Sequence, residues 1–189
     1  RLVDNMLDMT RIESGALKPA LEWTDLNEIV NTAALRLRNE TGRHRLEIDV
    51  PDDLPLVPAD PVQLDQVFTN LISNSVKYSP AGTLIRIDAR RADAERMQVQ
   101  VFNESPRVPP EDLARIFDRF YRITHADKVM GTGLGLSICK GIIDAHGGRI
   151  WAEIRPARPG DQGRGFVFNF TLPLTWNGAS PRLPPPETT

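Results

Sequence analysis

Residues 60–80, DPVQLDQVFTNLISNSVKYSP, constrain the fold of this chain more than any other stretch. Asp60 offers a side-chain oxygen at an N-cap, Pro61 suits the first helical position, and Gln63 completes a capping box. Pro80 and Gly82 close the far end. Between these stops Leu64, Phe68, Leu71, Ile72 and Val76 recur at helical spacing and form one apolar face. On both sides the period switches to two. Leu46, Ile48 and Val50 alternate with Glu47 and Asp49 until Pro51. Later, Ile85, Ile87 and Ala89 alternate with Leu84, Arg86 and Asp88, and Met97, Val99 and Val101 share one face. A final strand pair is expected in RIWAEI and GFVFNFTLPL, where Phe166, Phe168, Phe170 and Leu172 face one way. Elements with a single apolar face can bury it only against one another. The expected fold is therefore α+β: a two-layer sandwich, with helices on one face of a mixed, mostly antiparallel sheet.

The flanks add a stub and a tail. Leu2, Met6, Met9 and Ile12 lie at helical spacing up to Gly15, and a helix this short needs a partner in water. Because the chain opens at Arg1 inside that pattern, it reads as an excised fragment. The expected division is a helix stub over 1–17, a linker over 18–23 broken by Pro19, a main domain over 24–174 and a disordered, proline-rich tail over 175–189. Thr24 is the expected N-cap of a helix running to Glu40, and 110–122 (PEDLARIFDRFYR) is expected to form a short helix. The formal net charge of −2 lacks the basic excess of a general nucleic-acid or membrane-surface binder. No apolar run is long enough for a membrane span, and the N-terminus has no signal-peptide pattern. Cys139 stands alone, so an internal disulfide or a cysteine-rich zinc site is excluded. It reads as a small buried hydrophobe, and His44, His125 and His146 read as surface or packing residues.

Two features carry chemistry. On the helix over 61–78, Gln63, Gln66, Asn70, Asn74 and Lys77 fall within about 40° of one line. The stripe is either a solvated face or a site where amide oxygens hold Mg²⁺ and the lysine meets phosphate. Gly131, Gly133 and Gly135 stand just before an amphipathic helix bearing Leu136, Ile138, Ile142 and Ile143. Glycines at a helix N-terminus admit an anion to the backbone N–H groups, although a flexible loop would look the same. The string matches neither a P-loop nor a dinucleotide fingerprint.

Together these strings resemble the sensor histidine kinases. NLISNSVKYSP is similar to their N box, IFDRFYR to their F box and GTGLGL to their second glycine box, in the family's order and spacing. VDNMLDMTRIESGAL, through Trp23, resembles the end of the dimerisation helix pair, in the manner of KdpD-type potassium-sensor kinases. The resemblance implies the ATP-lid (Bergerat) fold shared with gyrase-type ATPases, Hsp90 and MutL, with ATP and Mg²⁺ as cofactors. It implies that Asn70 and Asn74 hold the metal and that Lys77 and Tyr78 line the phosphates. Gly131, Thr132, Gly133, Leu134, Gly135 and Leu136 would form the phosphate cradle, with 119–130 as a mobile lid. Asp118, Arg119 and Arg122 would cap or clamp that lid, and Arg122 would contact phosphate. The implied reaction moves the γ-phosphoryl of ATP to a histidine on an upstream hairpin. The implied partners are that dimerisation domain, in a homodimer, and a cognate response regulator. The implied setting is the cytoplasmic part of a membrane-anchored sensor. No histidine here lies in a His-Glu-Leu-Arg-like string, so the chain is not expected to phosphorylate itself alone.

One box departs from the pattern. The family's first glycine box is Asp-x-Gly-x-Gly, its acid accepting from the adenine amino group; here the string is Asn103-Glu104-Ser105-Pro106-Arg107. A neutral acceptor in place of a charged one forfeits about 1–2 kcal/mol. A nucleotide site of weakened affinity is expected, with a nucleotide-blind regulatory binding module as the alternative. A gyrase- or MutL-type ATPase fits less well, because Asn70 stands where those enzymes carry the glutamate that activates water.

Overall fold

The computed structural model describes residues 2–104, 108–122, 132–155 and 165–179. Helix α1 (Leu2–Glu13) is followed by strand β1 (Glu22–Thr24), helices α2 (Leu26–Arg36) and α3 (Arg38–Thr41), and strands β2 (Arg45–Asp49) and β3 (Val57–Ala59). Helix α4 (Pro61–Tyr78) precedes strands β4 (Leu84–Arg91) and β5 (Arg96–Glu104). Helix α5 (Gly135–Ala145) and strands β6 (Arg149–Arg155) and β7 (Gly165–Pro173) complete the order. The main sheet runs β2-β4-β5-β7-β6, parallel only between β2 and β4. Strands β1 and β3 form a separate antiparallel pair. The expected two-layer α+β sandwich is observed.

Register explains the layering. Val99 pairs with Phe170 and Val101 with Phe168, so their side chains share the inner face on which α2, α4 and α5 pack. Phe68 of α4 meets Phe170 edge to face at 5.7 Å between ring centroids. The same alternation sends Leu84, Phe102 and Val167 to the outer face, where they form a small cluster of their own.

Several local expectations are corrected. The N-cap of α2 is Asp25, whose carboxylate accepts from the Asn27 N–H at 2.8 Å. Thr24 ends β1 instead, and its hydroxyl donates to the Ala59 carbonyl at 3.1 Å. The helix expected to run to Glu40 breaks at Leu37. The helix expected over 110–122 is a 3₁₀ turn at Pro110–Asp112 followed by further turns. Phe120 holds φ at +58°, outside the helical region, so a helix cannot run through it to Arg122. The tail does not lose structure at residue 175. Trp176 and Ala179 form a bridged turn, and the Trp176 ring meets Trp23 edge on at 6.1 Å. Residues 180–189 lie outside the described residues.

Candidate functional site

The start of α4 is built more tightly than its sequence suggests. Asp60 Oδ1 accepts from the N–H groups of Val62 and Gln63 at 3.0 and 3.1 Å. The reciprocal bond of a capping box is not made: Gln63 Nε2 donates to Asp60 Oδ2 at 3.1 Å, while the Asp60 N–H goes to His146. Gln66 Nε2 donates to Asp8 Oδ2 of α1 at 2.6 Å. The polar stripe thus divides. Gln63 and Gln66 serve structure, and Asn70, Asn74 and Lys77 continue along the helix towards its C-terminal end.

Asn70 faces the N-terminus of α5. Its Nδ2 donates to the Gly135 carbonyl at 3.4 Å, and a methyl added at Gly135 would rest 3.6 Å from its Oδ1. Asn74, one turn on, is half-buried, and Lys77 is exposed in the last turn beside half-buried Tyr78. At α5, Leu134 is the N-cap residue and makes no side-chain cap. The N–H groups of the first turn have no partner within the helix, the arrangement that receives an anion. Leu134 is buried, so it could contact a ligand only through its backbone, and the half-buried Leu136 packs on the core. Thr132 Oγ1 accepts from the Leu134 N–H at 3.4 Å. Gly131 lies outside the described residues, as do Ser105, Pro106, Arg107, His125 and positions 123–130 of the expected lid.

Asn103 is buried on the inner face at the end of β5, 2% exposed. Its Nδ2 donates to Ser79 Oγ at 2.9 Å, and its Oδ1 lies 3.4 Å from Ser75 Oγ. The structure therefore seats Asn103 against the last turns of α4, on the helix that also carries Asn70, Asn74 and Lys77. Arg119 pairs with Glu13 of α1, and Arg122 is exposed where the described stretch ends. Asp118 lies 3.9 Å from Arg115. The segment before the glycines is fastened by Tyr121, whose hydroxyl donates to Asp112 at 2.5 Å under the Arg115 guanidinium. That hydrogen bond and the neighbouring carboxylate push the phenol above its ordinary range. Among the described residues no group of three or more His, Cys, Asp or Glu could hold a metal ion.

The model of one family, described as histidine kinase-, DNA gyrase B- and HSP90-like ATPases, matches residues 59–175, which include the whole amide face and the α5 N-terminus. The chain belongs to this ATPase family. Among curated relatives it is 39% identical to the sensor protein KdpD of Escherichia coli over 173 residues, covering 92% of the chain and 18% of KdpD. It therefore spans about a fifth of that relative. Among solved structures it is similar to full-length ShkA in complex with AMPPNP, at TM-score 0.78 and 25% identity, covering 97% of this chain and 36% of ShkA. It is also similar to the histidine kinase ThkA in complex with the response regulator TrrA, at TM-score 0.69 and 26% identity, covering 92% and 48%. The fold is that of the family's ATP-binding catalytic domains.

Sequence reasoning missed the residues that hold the site in place. Ser75 and Ser79 fix Asn103, and the Asp60–His146 pair joins the two helices. A local signal existed for the first: a serine in the last turn of an otherwise apolar helix face and another at its C-cap. Nothing local signals the second, because its partners stand far apart in the chain.

Proposed function

We propose that this chain is the ATP-binding catalytic domain of a sensor histidine kinase, in which the γ-phosphoryl of ATP passes to a histidine on a helical hairpin. The observation that carries this reading is Asn70 of α4 set against Gly135 at the start of α5. That contact occupies the Asn70 Nδ2 and leaves its Oδ1 to meet a cation, so the donor set fits Mg²⁺ bound to phosphate. Bound MgATP supplies the reactive phosphoryl group and a cation that offsets its charge. Asn70 and Asn74 would hold the cation, Lys77 and Tyr78 would face the phosphates, and Arg122 would reach them from the F-box stretch. The backbone of Thr132 to Leu136, with Gly131, would receive phosphate oxygens, and Asn103 would face the base. Chemistry of this kind depends on positioning and charge stabilisation more than on covalent participation by side chains.

Helix α1 supports the reading of a dimerisation hairpin. It docks through Met9 and Ile12 and exposes Val3, Met6 and Leu7 on another side, suited to a second helix. A response regulator is the proposed recipient of the phosphoryl group. The proposed setting is the cytoplasmic part of a membrane-anchored sensor; no helix among the described residues is long and apolar enough to cross a membrane.

Thermal stability under MgATP titration tests the proposal. A saturable, Mg²⁺-dependent rise that is lost in Asn74→Ala supports it. Absence of any shift at several millimolar favours the second reading, a nucleotide-blind regulatory module. One observation favours that module: the Asn103 amide is already taken up by Ser79 and Ser75.

A further inference from the structure

His146 ends α5 and is only 4% exposed, and both of its ring nitrogens are engaged. Nδ1 donates to the Ile142 carbonyl at 2.8 Å, one turn back in its own helix. Nε2 accepts the backbone N–H of Asp60 at 3.0 Å. The two bonds require a neutral ring with its proton on Nδ1. Burial favours that state and holds the imidazole below its ordinary range, against the opposing pull of the Ile142 carbonyl and then of the Asp60 carboxylate. Among the charged groups near this corner, Arg96 of β5 donates to the Gly147 carbonyl at 3.2 Å, and Asp144, two residues back, pairs with Lys140 at 2.8 Å.

Asp60 carries the contact further. Besides capping α4, its Oδ2 accepts from the Ala20 N–H at 3.0 Å. One joint therefore binds three pieces: the C-terminus of α5, the N-terminus of α4, and the segment that leads from α1 to β1. At the other end of α5, Asn70 Nδ2 from the middle of α4 meets the Gly135 carbonyl. Helix α5 thus runs antiparallel to the first half of α4 and is held to it at both of its own ends, with Cys139 Sγ lying 3.8 Å from the Val67 carbonyl between the two contacts.

A simple C-terminal cap would explain the Nδ1 bond alone. The Nε2 bond does nothing for α5. It claims the N–H that a capping box would give to Gln63, and Gln63 has turned to the carboxylate with its Oε1 buried and unpartnered. The polar groups here are arranged around the imidazole.

We propose that His146 is a positioning residue for the nucleotide site. It seats Asp60, so that the Ala20 segment, the amide-bearing helix α4 and the phosphate-side helix α5 share one register. A displacement of α1 would then reach Asn70 and Gly135 through Ala20 and Asp60. The inference rests on the reading of the Asn70–Gly135 face as that site.

Two variants of the whole chain separate the bonds. His146→Asn can still donate to the Ile142 carbonyl but falls short of Asp60. His146→Gln brings an acceptor to the place of Nε2. Both are compared with the wild type by amide hydrogen exchange without nucleotide and by MgATP affinity, after a melting curve shows a cooperative fold. In His146→Asn the Ala20, Val62 and Gln63 amides should exchange about tenfold faster and MgATP should bind several-fold more weakly, with β5 and β7 amides unchanged. His146→Gln should restore most of both. The proposal is overturned if Ala20 exchange in His146→Asn equals wild type, or if His146→Gln fails as badly. It is also overturned if exchange accelerates while affinity holds, which reduces His146 to a cap. A wild type that binds no nucleotide defeats the functional reading instead, and the exchange data still decide the joint.

Discussion

Phe120 donates its backbone N–H to the Gly133 carbonyl at 3.1 Å, and both residues hold left-handed backbone, with φ at +58° and +72°. Glycine adopts that conformation at little cost, whereas for phenylalanine it costs about 1–2 kcal/mol. The contact brings the F-box end and the second glycine box together in space. A Cβ at Gly133 would lie 2.8 Å from Phe120 Cα and 2.9 Å from its carbonyl carbon, so the backbone itself must yield.

Gly133→Ala should therefore cost about 2–4 kcal/mol, strain and displacement combined. Urea unfolding measures it. Gly82→Ala serves as the control: it shares the positive φ, at +84°, but meets nothing within 4 Å, so it should cost only about 1 kcal/mol. Equal losses at the two positions would show that the Phe120 contact contributes nothing.

Asn103 permits a test by restoration. Ser79 carries a hydroxyl that can turn from accepting the present amide to donating to a carboxylate, and the Ser75 hydroxyl, which also bonds the Leu71 carbonyl at 2.9 Å, lies 3.4 Å away. Asn103→Asp should thus be accommodated, and a charged acceptor should tighten MgATP binding by about 5- to 30-fold. Calorimetric titration of both proteins decides it. Unchanged or weaker binding would mean that Asn103 does not face the base.

What could be read from the sequence follows from the range of the forces involved. Helix α4 and the strands from Leu84 to Glu104 announce themselves because periodicity, caps and prolines all act within a few residues. Asn70 and Asn74 stood out for the same reason: amides recurring at i and i+4 are a local pattern. Strands β1 and β3 are three residues each, too short for any period, and exist only through each other. Gln66 looked like a site residue until Asp8, brought in by the fold, claimed it. The 110–122 stretch has helical spacing, but its path is set by the left-handed Phe120 and the distant Gly133 that it bonds.

Acidification should weaken the fold through two histidines. His146 is held below its ordinary range mainly by burial, and so is His44, against a hydrogen bond from its ring to the Val76 backbone. Each therefore binds its proton more readily unfolded than folded. Their contribution is complete above the unfolded value, about 6.5, and is lost as the pH falls through that value towards the native one. The melting temperature should drop between pH 7 and pH 5.5. His146→Gln should flatten that slope, and an unchanged slope would show that His146 does not contribute to it.

Cys139 gives the last test of how the two helices are joined. Its thiol is fully buried and is pushed up to about 12, mainly by desolvation, with the Asn70 side chain pulling the other way. At pH 8 only about one molecule in ten thousand would carry a thiolate there, so a thiol reagent should react only when the protein opens. The reaction rate should rise with denaturant and fall when MgATP is added, because a ligand of the native state lowers the open population. Substitution then asks what the sulfur does. Its contact with the Val67 carbonyl is long, 3.8 Å, and a serine hydroxyl on the shorter C–O bond would not reach as far. Cys139→Ser should leave a buried hydroxyl poorly satisfied and cost about 1–3 kcal/mol. Cys139→Ala leaves only a small void and should cost about 1 kcal/mol. Urea unfolding of the pair gives the order. If serine proves the milder change, the position favours a polar group and the contact with Val67 is a hydrogen bond; if alanine does, the sulfur between α4 and α5 acts by filling space.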